Sequence, residues 1–362
     1  MTPAGQPLPD LYAPWLAALL PAPIPLEARA TCRECAMCPK ADGALPTATY
    51  VFKPDVKCCA FLPRLPNFLV GRILRDDDPA AAAGRRSVEA RVAAGVGVTP
   101  LGLDRPPLHD LHLRHAIDAF GNSRALRCPH YVDEDGGLCG IWRHREATCA
   151  TWFCRFERGR VGFDLWQAVK HLLAEVERDL ALRCALDAGV DPGLLAGLLP
   201  QEDAAASAGR PWQELEGAPD PGVHAAAWGA WAGREVELYL RCADLVDGLG
   251  WPDVLSRCGP RVAARAAAVQ AAHARRLDAR LPARLRAGGF QVAATRRDGG
   301  LRAVTYSPFD AIDLPASLIA LLPAFDGRPT DEVLEGLRRD HGVELDPGFL
   351  RQLLDWGVLA GE

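Results

Sequence analysis

The chain has 362 residues, a formal net charge of −5, and 24% charged against 49% hydrophobic residues. That length suggests two or three domains, each large enough for its own core, and the balance excludes a largely disordered chain, a collagen or a coiled-coil rod. An acidic chain is also no general nucleic-acid binder.

Residues 1–31 read as a Pro-rich lead-in with one short helix over residues 11–20. No basic segment precedes the apolar run 15–20, and no stretch reaches the roughly 18 apolar residues of a membrane span. The expected compartment is therefore the reducing cytoplasm, with no membrane partner. Residues 32–160 hold most of the cysteines, and helices are expected there only at Asn67–Arg75 and over residues 79–94. Residues 161–287 read as a helical layer. A helix over 164–186 puts Leu165, Trp166, Val169, Leu172, Leu173, Val176 and Leu180 on one face. Further helices are expected over 223–249 and 260–281. Cys184, Cys242 and Cys258 on or beside these helices read as small buried hydrophobes.

Gly288-Gly289 opens the last part, residues 288–362. A hairpin is expected from strands 290–296 and 302–306 around Asp298-Gly299-Gly300. Helices follow over 315–322, 331–341 and 347–356, with Thr330 and Asp346 as N-caps and Gly342 as a C-cap. The expected fold class is mainly α with small α+β parts: a cysteine-rich metal domain, a helical middle layer and a C-terminal winged-helix-like module.

Nine of the 12 cysteines lie between Cys32 and Cys154. A reducing compartment does not keep disulfides, so the clustering points to metal. Cys32-x2-Cys35-x2-Cys38 can converge in a tight loop, with Cys58 and Cys59 nearest to supply a fourth thiolate. Cys128, Cys139, Cys149 and Cys154 form a second group, in which a turn at Gly136-Gly137 brings Cys128 and Cys139 together. Cysteine ligation suits an iron–sulfur cluster, expected as 4Fe-4S, or zinc as the alternative. Arg143, Arg145, Arg155 and Arg158 crowd the second group, either as donors that offset anionic sulfur or as a solvated face. Trp142, Trp152, Phe153 and Phe156 are expected to shield the site. His109, His112 and His115 drift around a helix at three-residue spacing and read as structural. The chain has no P-loop, no dinucleotide fingerprint, no nucleophile elbow and no radical-SAM cysteine motif, and no catalytic residue is assigned.

At these cysteines the chain resembles the YkgJ-like cysteine-cluster family, described as zinc- or iron-chelating. Cys32, Cys35 and Cys38 match its opening, and Cys128, Gly137, Cys139, Ile141, Arg145 and Cys149 match the stretch that follows. Trp142 stands where the family usually has Tyr, Glu146 where it has Pro, and Pro39 replaces the fourth cysteine of the opening. Flagellin lysine methylases carry this type of pattern, and the resemblance implies metal binding more than any one reaction. Residues 301–362, with the turn Asp326-Gly327-Arg328-Pro329-Thr330, resemble a PqqD-like module, a small winged-helix fold that binds leader peptides. By position, its groove maps to Ile312 and Leu314 on a strand and Leu350 and Leu353 on a helix, where an extended peptide could add. That segment carries 11 acidic and 5 basic residues, a net of −6, which argues against DNA and for a peptide or protein partner. The expected function is an iron–sulfur accessory or modifying protein acting on a peptide or protein. A zinc-stabilised interaction protein without chemistry is the alternative.

Overall fold

The structure is a computed structural model that describes residues 8–27, 32, 35–40, 48–198 and 220–361. Both ends of the Pro-rich lead-in, residues 1–7 and 28–31, lie outside them. The chain is mainly helical with small sheets. No described helix is long and apolar enough to cross a membrane.

In chain order, α1 (Tyr12–Leu19) is followed by β1 (Leu65–Pro66), α2 (Asn67–Arg75), α3 (Ala82–Ala94), β2 (Val98–Thr99), β3 (Gly102–Leu103) and α4 (Pro107–His115). Next come β4 (Tyr131–Val132), β5 (Leu138–Cys139), α5 (Ala147–Thr151), α6 (Gly159–Asp187), α7 (Pro192–Leu198), α8 (Pro221–Trp228), α9 (Glu235–Val246), α10 (Trp251–Arg257) and α11 (Pro260–Leu277). The last part holds β6 (Arg284–Ala287), β7 (Gln291–Thr295), β8 (Leu301–Val304), β9 (Ile312–Leu314), α12 (Ala316–Leu321), β10 (Asp326–Pro329), α13 (Thr330–His341), α14 (Pro347–Asp355) and β11 (Leu359–Gly361).

The single helix expected over 223–249 is two. Gly229 (φ 52°, ψ −123°) and Gly233 (φ 81°) lie between α8 and α9 in conformations a helix cannot continue through. The expected helix over 79–94 starts with a 3₁₀ turn at Pro79–Ala81, where the Asp78 carboxylate accepts the Ala80 N–H. It closes on Gly95 in the left-handed region. Strand β6 was not expected. Of its residues Arg284-Leu285-Arg286-Ala287 only Leu285 is buried, so an Arg-rich stretch conceals a strand.

Chain contacts divide the molecule into two units. The first comprises Met1–Leu26, Phe52–Trp152 and Val169–Ala267. Its core includes Tyr12, Trp15, Phe68, Leu69, Leu172, Val176, Trp228 and Tyr239. Helices α2 and α9 pack closely at Gly71, where an added Cβ would sit 2.0 Å from the Tyr239 carbonyl oxygen. The indole N–H of Trp15 donates to the Leu249 carbonyl at 2.7 Å, and the Tyr239 hydroxyl donates to that of Thr99 at 2.8 Å. Asn67, buried at the start of α2, donates to the carbonyls of Pro100 and Ala181, so one amide joins three segments.

The second unit comprises Glu27–Val51, Phe153–Ala168 and Ala268–Glu362. It has two antiparallel three-stranded sheets, ordered β10-β6-β11 and β7-β8-β9. In the second, Val292 opposes Ala303 and Leu301 opposes Leu314. Leu285, Leu318, Phe325, Val333, Leu337, Leu350 and Val358 form its core with the last three helices. Asp346 caps α14 by accepting the N–H groups of Gly348 and Phe349, and Gly342 ends α13 at φ 65°.

Candidate metal centre

The nine clustered cysteines divide between the units. Cys58, Cys59, Cys128, Cys139 and Cys149 belong to the first, and Cys32, Cys35, Cys38 and Cys154 to the second. None of the 12 cysteines, all described, is in a disulfide.

Three segments gather the five thiols of the first unit. Lys57 stands at φ 55°, a left-handed conformation that costs a non-glycine residue about 1–2 kcal/mol. It opens the turn Lys57–Ala60, which carries Cys58 and Cys59. The buried Lys57 ammonium donates to the carbonyls of Gly136 and Gly137, binding this turn to the next segment. A second tie runs from the Cys128 N–H to the Cys59 carbonyl at 2.7 Å. After Cys128 the chain forms the β4–β5 hairpin with Tyr131 opposite Cys139, as the glycine turn predicts. Gly137 lies at φ 90°, and a Cβ there would meet the Tyr131 hydroxyl at 1.9 Å, so glycine is required. Helix α3 lies against this hairpin at Gly84, where a Cβ would fall 2.1 Å from the Gly140 carbonyl oxygen. The third segment is α5, which bears Cys149. Glu146 caps it, accepting from Thr148 N–H at 2.6 Å and Cys149 N–H at 2.9 Å.

Burial pushes the Cys128 thiol up to about 12, and the thiols of Cys139 and Cys58 push the same way. Against them act the His130 N–H, which donates to the Cys128 sulfur, and the Arg91 guanidinium. Cys149 is held well above the usual thiol range by burial, then by Glu146, Cys139 and Cys128. Cys139 thus opposes the ionisation of both Cys128 and Cys149, Cys128 opposes that of Cys149, and Cys58 opposes that of Cys128. Burial also drives His130 down to about 3, so its imidazole is neutral. Among the described residues no group of three or more His, Cys, Asp or Glu side chains is arranged to hold a metal ion. The donor set nevertheless suits one by its chemistry. These are soft sulfur donors, Cys128 buried and the others half-buried, and a cation would remove the penalty that burial and neighbours place on the Cys128 and Cys149 thiolates.

Other expected residues take different places. Arg143 pairs with Asp78 at 2.9 Å and lies 3.6 Å from Asp10, so it offsets carboxylates. Arg145 is buried with its guanidinium 3.4 Å from the centre of the Trp142 ring. It donates to the Trp142 carbonyl at 3.1 Å and to the Cys149 carbonyl at 3.4 Å, bracing α5 through its backbone. In the second unit Arg155 lies 3.9 Å from Asp310, and Arg158 forms a two-pronged pair with Asp355. Trp152 stacks edge-on with Phe120, and Phe153 with Phe156. His109 accepts the Leu62 N–H, while His112 and His115 are exposed on α4. Cys184 and Cys242 are buried thiols and Cys258 is half-buried. In the second unit Cys35 and Cys38 are buried, joined by a turn from Cys38 N–H to Cys35 carbonyl at 3.2 Å. Leu314, Leu350 and Leu353 are taken up in the unit's own core, leaving Ile312 half-buried. Strand β9 pairs with β8 along one edge, and no described strand pairs with the other.

Lys57, Ser87, Arg91 and His130 did not stand out in the sequence as parts of this site. Of these only His130 carried a signal, as the histidine two residues after Cys128. Comparison of the chain with protein-family models, with curated proteins and with solved structures found no match.

Behind Cys149 lies a buried acid pair. Glu177 accepts the Tyr12 hydroxyl and the Ala147 N–H, the latter at 2.6 Å. Burial, then the Glu146 charge, holds its carboxyl well above the usual carboxylate range. Glu146 is raised by burial too, but three hydrogen bonds favour its ionised form. The folded protein therefore keeps a proton on Glu177 at pH values where the unfolded chain has lost it. Stability is expected to fall as pH rises from about 4.5 through the raised folded value. Glu177→Gln should flatten that fall, because glutamine keeps the acceptor and has no proton to lose. Thermal melts between pH 5 and pH 8 test this, and equal slopes for both proteins would refute it.

Proposed function

We propose that the chain is a metal-binding protein, an iron–sulfur accessory or modifying protein that acts on a peptide or protein partner. The observation that carries this reading is that one unit holds Cys128 and Cys149 with their ionisation opposed by burial and by neighbouring thiols, Cys139 acting on both and Cys58 on Cys128. Buried thiols whose ionisation is opposed by their neighbours have a chemical rationale if a cation joins them. Cys128, Cys139 and Cys149, with Cys58 or Cys59, would hold it. An iron–sulfur cluster there would supply one-electron transfer. Cys32, Cys35, Cys38 and Cys154 in the second unit would serve a further centre.

The partner half of the reading rests on the second unit. Its paired small sheets and three short helices agree with the PqqD-like winged-helix resemblance. The edge of β9 that no described strand pairs would offer backbone groups to an extended peptide, with Ile312 beside it. The acidic balance of residues 301–362 disfavours DNA as the partner.

Anaerobic purification followed by a visible spectrum and metal analysis tests the reading. A brown protein with iron and acid-labile sulfide is expected. Colourless protein holding zinc would turn the reading to a zinc-stabilised interaction protein, and protein with no metal above trace would overturn it.

A further inference from the structure

His130 is 1% exposed, yet only one of its ring nitrogens has a hydrogen-bond partner. Nδ1 lies 2.7 Å from the Ser87 hydroxyl oxygen, and that oxygen lies 2.7 Å from the Gly84 carbonyl oxygen. Two oxygens so close need a hydrogen between them, and only the serine can supply it. The Ser87 O–H is therefore committed to Gly84. It follows that Nδ1 carries the imidazole proton and donates it to Ser87, which leaves Nε2 as a bare lone pair. A buried acceptor without a donor is uncommon and asks for an occupant.

The surroundings indicate what kind. His130 stands two residues after Cys128, and its own N–H donates to the Cys128 sulfur. Arg91 on α3 acts electrostatically on both the Cys128 thiol and the His130 ring, so the two share a charged neighbour. The Arg91 Nη1 is likewise buried without a hydrogen-bond partner, while its Nη2 donates to the Asp104 carbonyl at 2.8 Å. An imidazole whose Nδ1 is held by a hydroxyl and whose Nε2 is bare has the form of a metal-ligating histidine with its outer partner in place. A guanidinium with an unused N–H beside a thiol can donate to the thiolate that metal binding creates.

We propose that His130 is a ligand of the centre formed with Cys128, Cys139 and Cys149, through Nε2. Ser87 fixes its tautomer, and Arg91 is the donor to the Cys128 thiolate. The inference rests on the metal-binding reading above and replaces an all-sulfur shell by three sulfurs and one nitrogen.

The full chain loaded with Zn²⁺ serves as the probe, because zinc accepts both shells. X-ray absorption is expected to show a nitrogen scatterer at about 2.0–2.1 Å beside sulfur at about 2.3 Å. His130→Ala should remove the nitrogen scatterer and weaken zinc binding at least tenfold. His130→Cys should retain zinc in an all-sulfur shell, which also controls for folding. Ser87→Ala, which releases the tautomer, should weaken zinc binding by a smaller factor, in the direction of the roughly 10–100-fold range of outer-partner losses. An all-sulfur shell in the unaltered chain, unchanged by His130→Ala, would overturn the inference and leave the metal reading standing. No zinc in either protein, together with no iron in the protein as purified, would overturn both.

Discussion

Gly71→Ala is expected to destabilise the first unit by about 2–3 kcal/mol, a fall in Tm of roughly 4–12 °C. Two effects oppose each other at this position. Alanine is the better helix former by about 1 kcal/mol. The added methyl, however, would lie 2.0 Å from the Tyr239 carbonyl oxygen, 2.6 Å from its carbon and 2.9 Å from the Ala243 Cβ. The neighbour is helix backbone, which cannot rotate away as a side chain can. Helices α2 and α9 must separate, loosening the packing of Phe68, Leu69 and Tyr239 along with them. Steric overlap therefore outweighs propensity. Gly336→Ala on α13 is the control, since a Cβ there meets nothing within 4 Å. That substitution should be neutral or stabilising by up to about 1 kcal/mol. Thermal scans decide the matter, and an unchanged Tm for Gly71→Ala would show that the helices do not touch there.

Serine at Cys139 or Cys149 is expected to cost most of the bound metal. A structural zinc site is worth on the order of 10–16 kcal/mol in small domains. Losing one of four ligands should then remove several kcal/mol, and each 1.4 kcal/mol is about tenfold in affinity. Both cysteines sit in segments with little core of their own, a two-residue strand and a five-residue helix. Hydrogen exchange across residues 128–151 should therefore quicken when metal is removed, ahead of α2 and α9. Cys258→Ser is the control, because Cys258 lies beside the helical layer and acts electrostatically on Cys184, a thiol outside the five. Full metal retention in both Cys139→Ser and Cys149→Ser, with unchanged exchange, would remove these residues from the centre.

Local signals were legible at several positions but not at Thr330, which is the first residue of α13 and donates its hydroxyl to the Pro282 carbonyl instead of capping the helix. Asn67–Arg75 is a helix with the expected bounds, after a proline that cannot sit inside one. The Gly136-Gly137 turn, the Asp346 cap and the Gly342 stop follow from the same local chemistry. Periodicity misled over residues 223–249, because tryptophans bury on either side of a glycine break as readily as along one helix. Strand β6 was hidden because its register hangs on Leu285 alone, and a strand paired on both edges needs no more.

For the candidate centre the sequence by itself determined the donor type, the thiol spacing and the hairpin that carries Cys139. The assignment of the cysteines to two units needed the tertiary structure. So did the Lys57 bridge to the Gly136 and Gly137 carbonyls, and the chain from Gly84 through Ser87 to His130. The reason is physical. A thiol's identity is written in its codon, whereas its burial, its charged neighbours and the tautomer of the histidine beside it are properties of side chains brought together from distant positions.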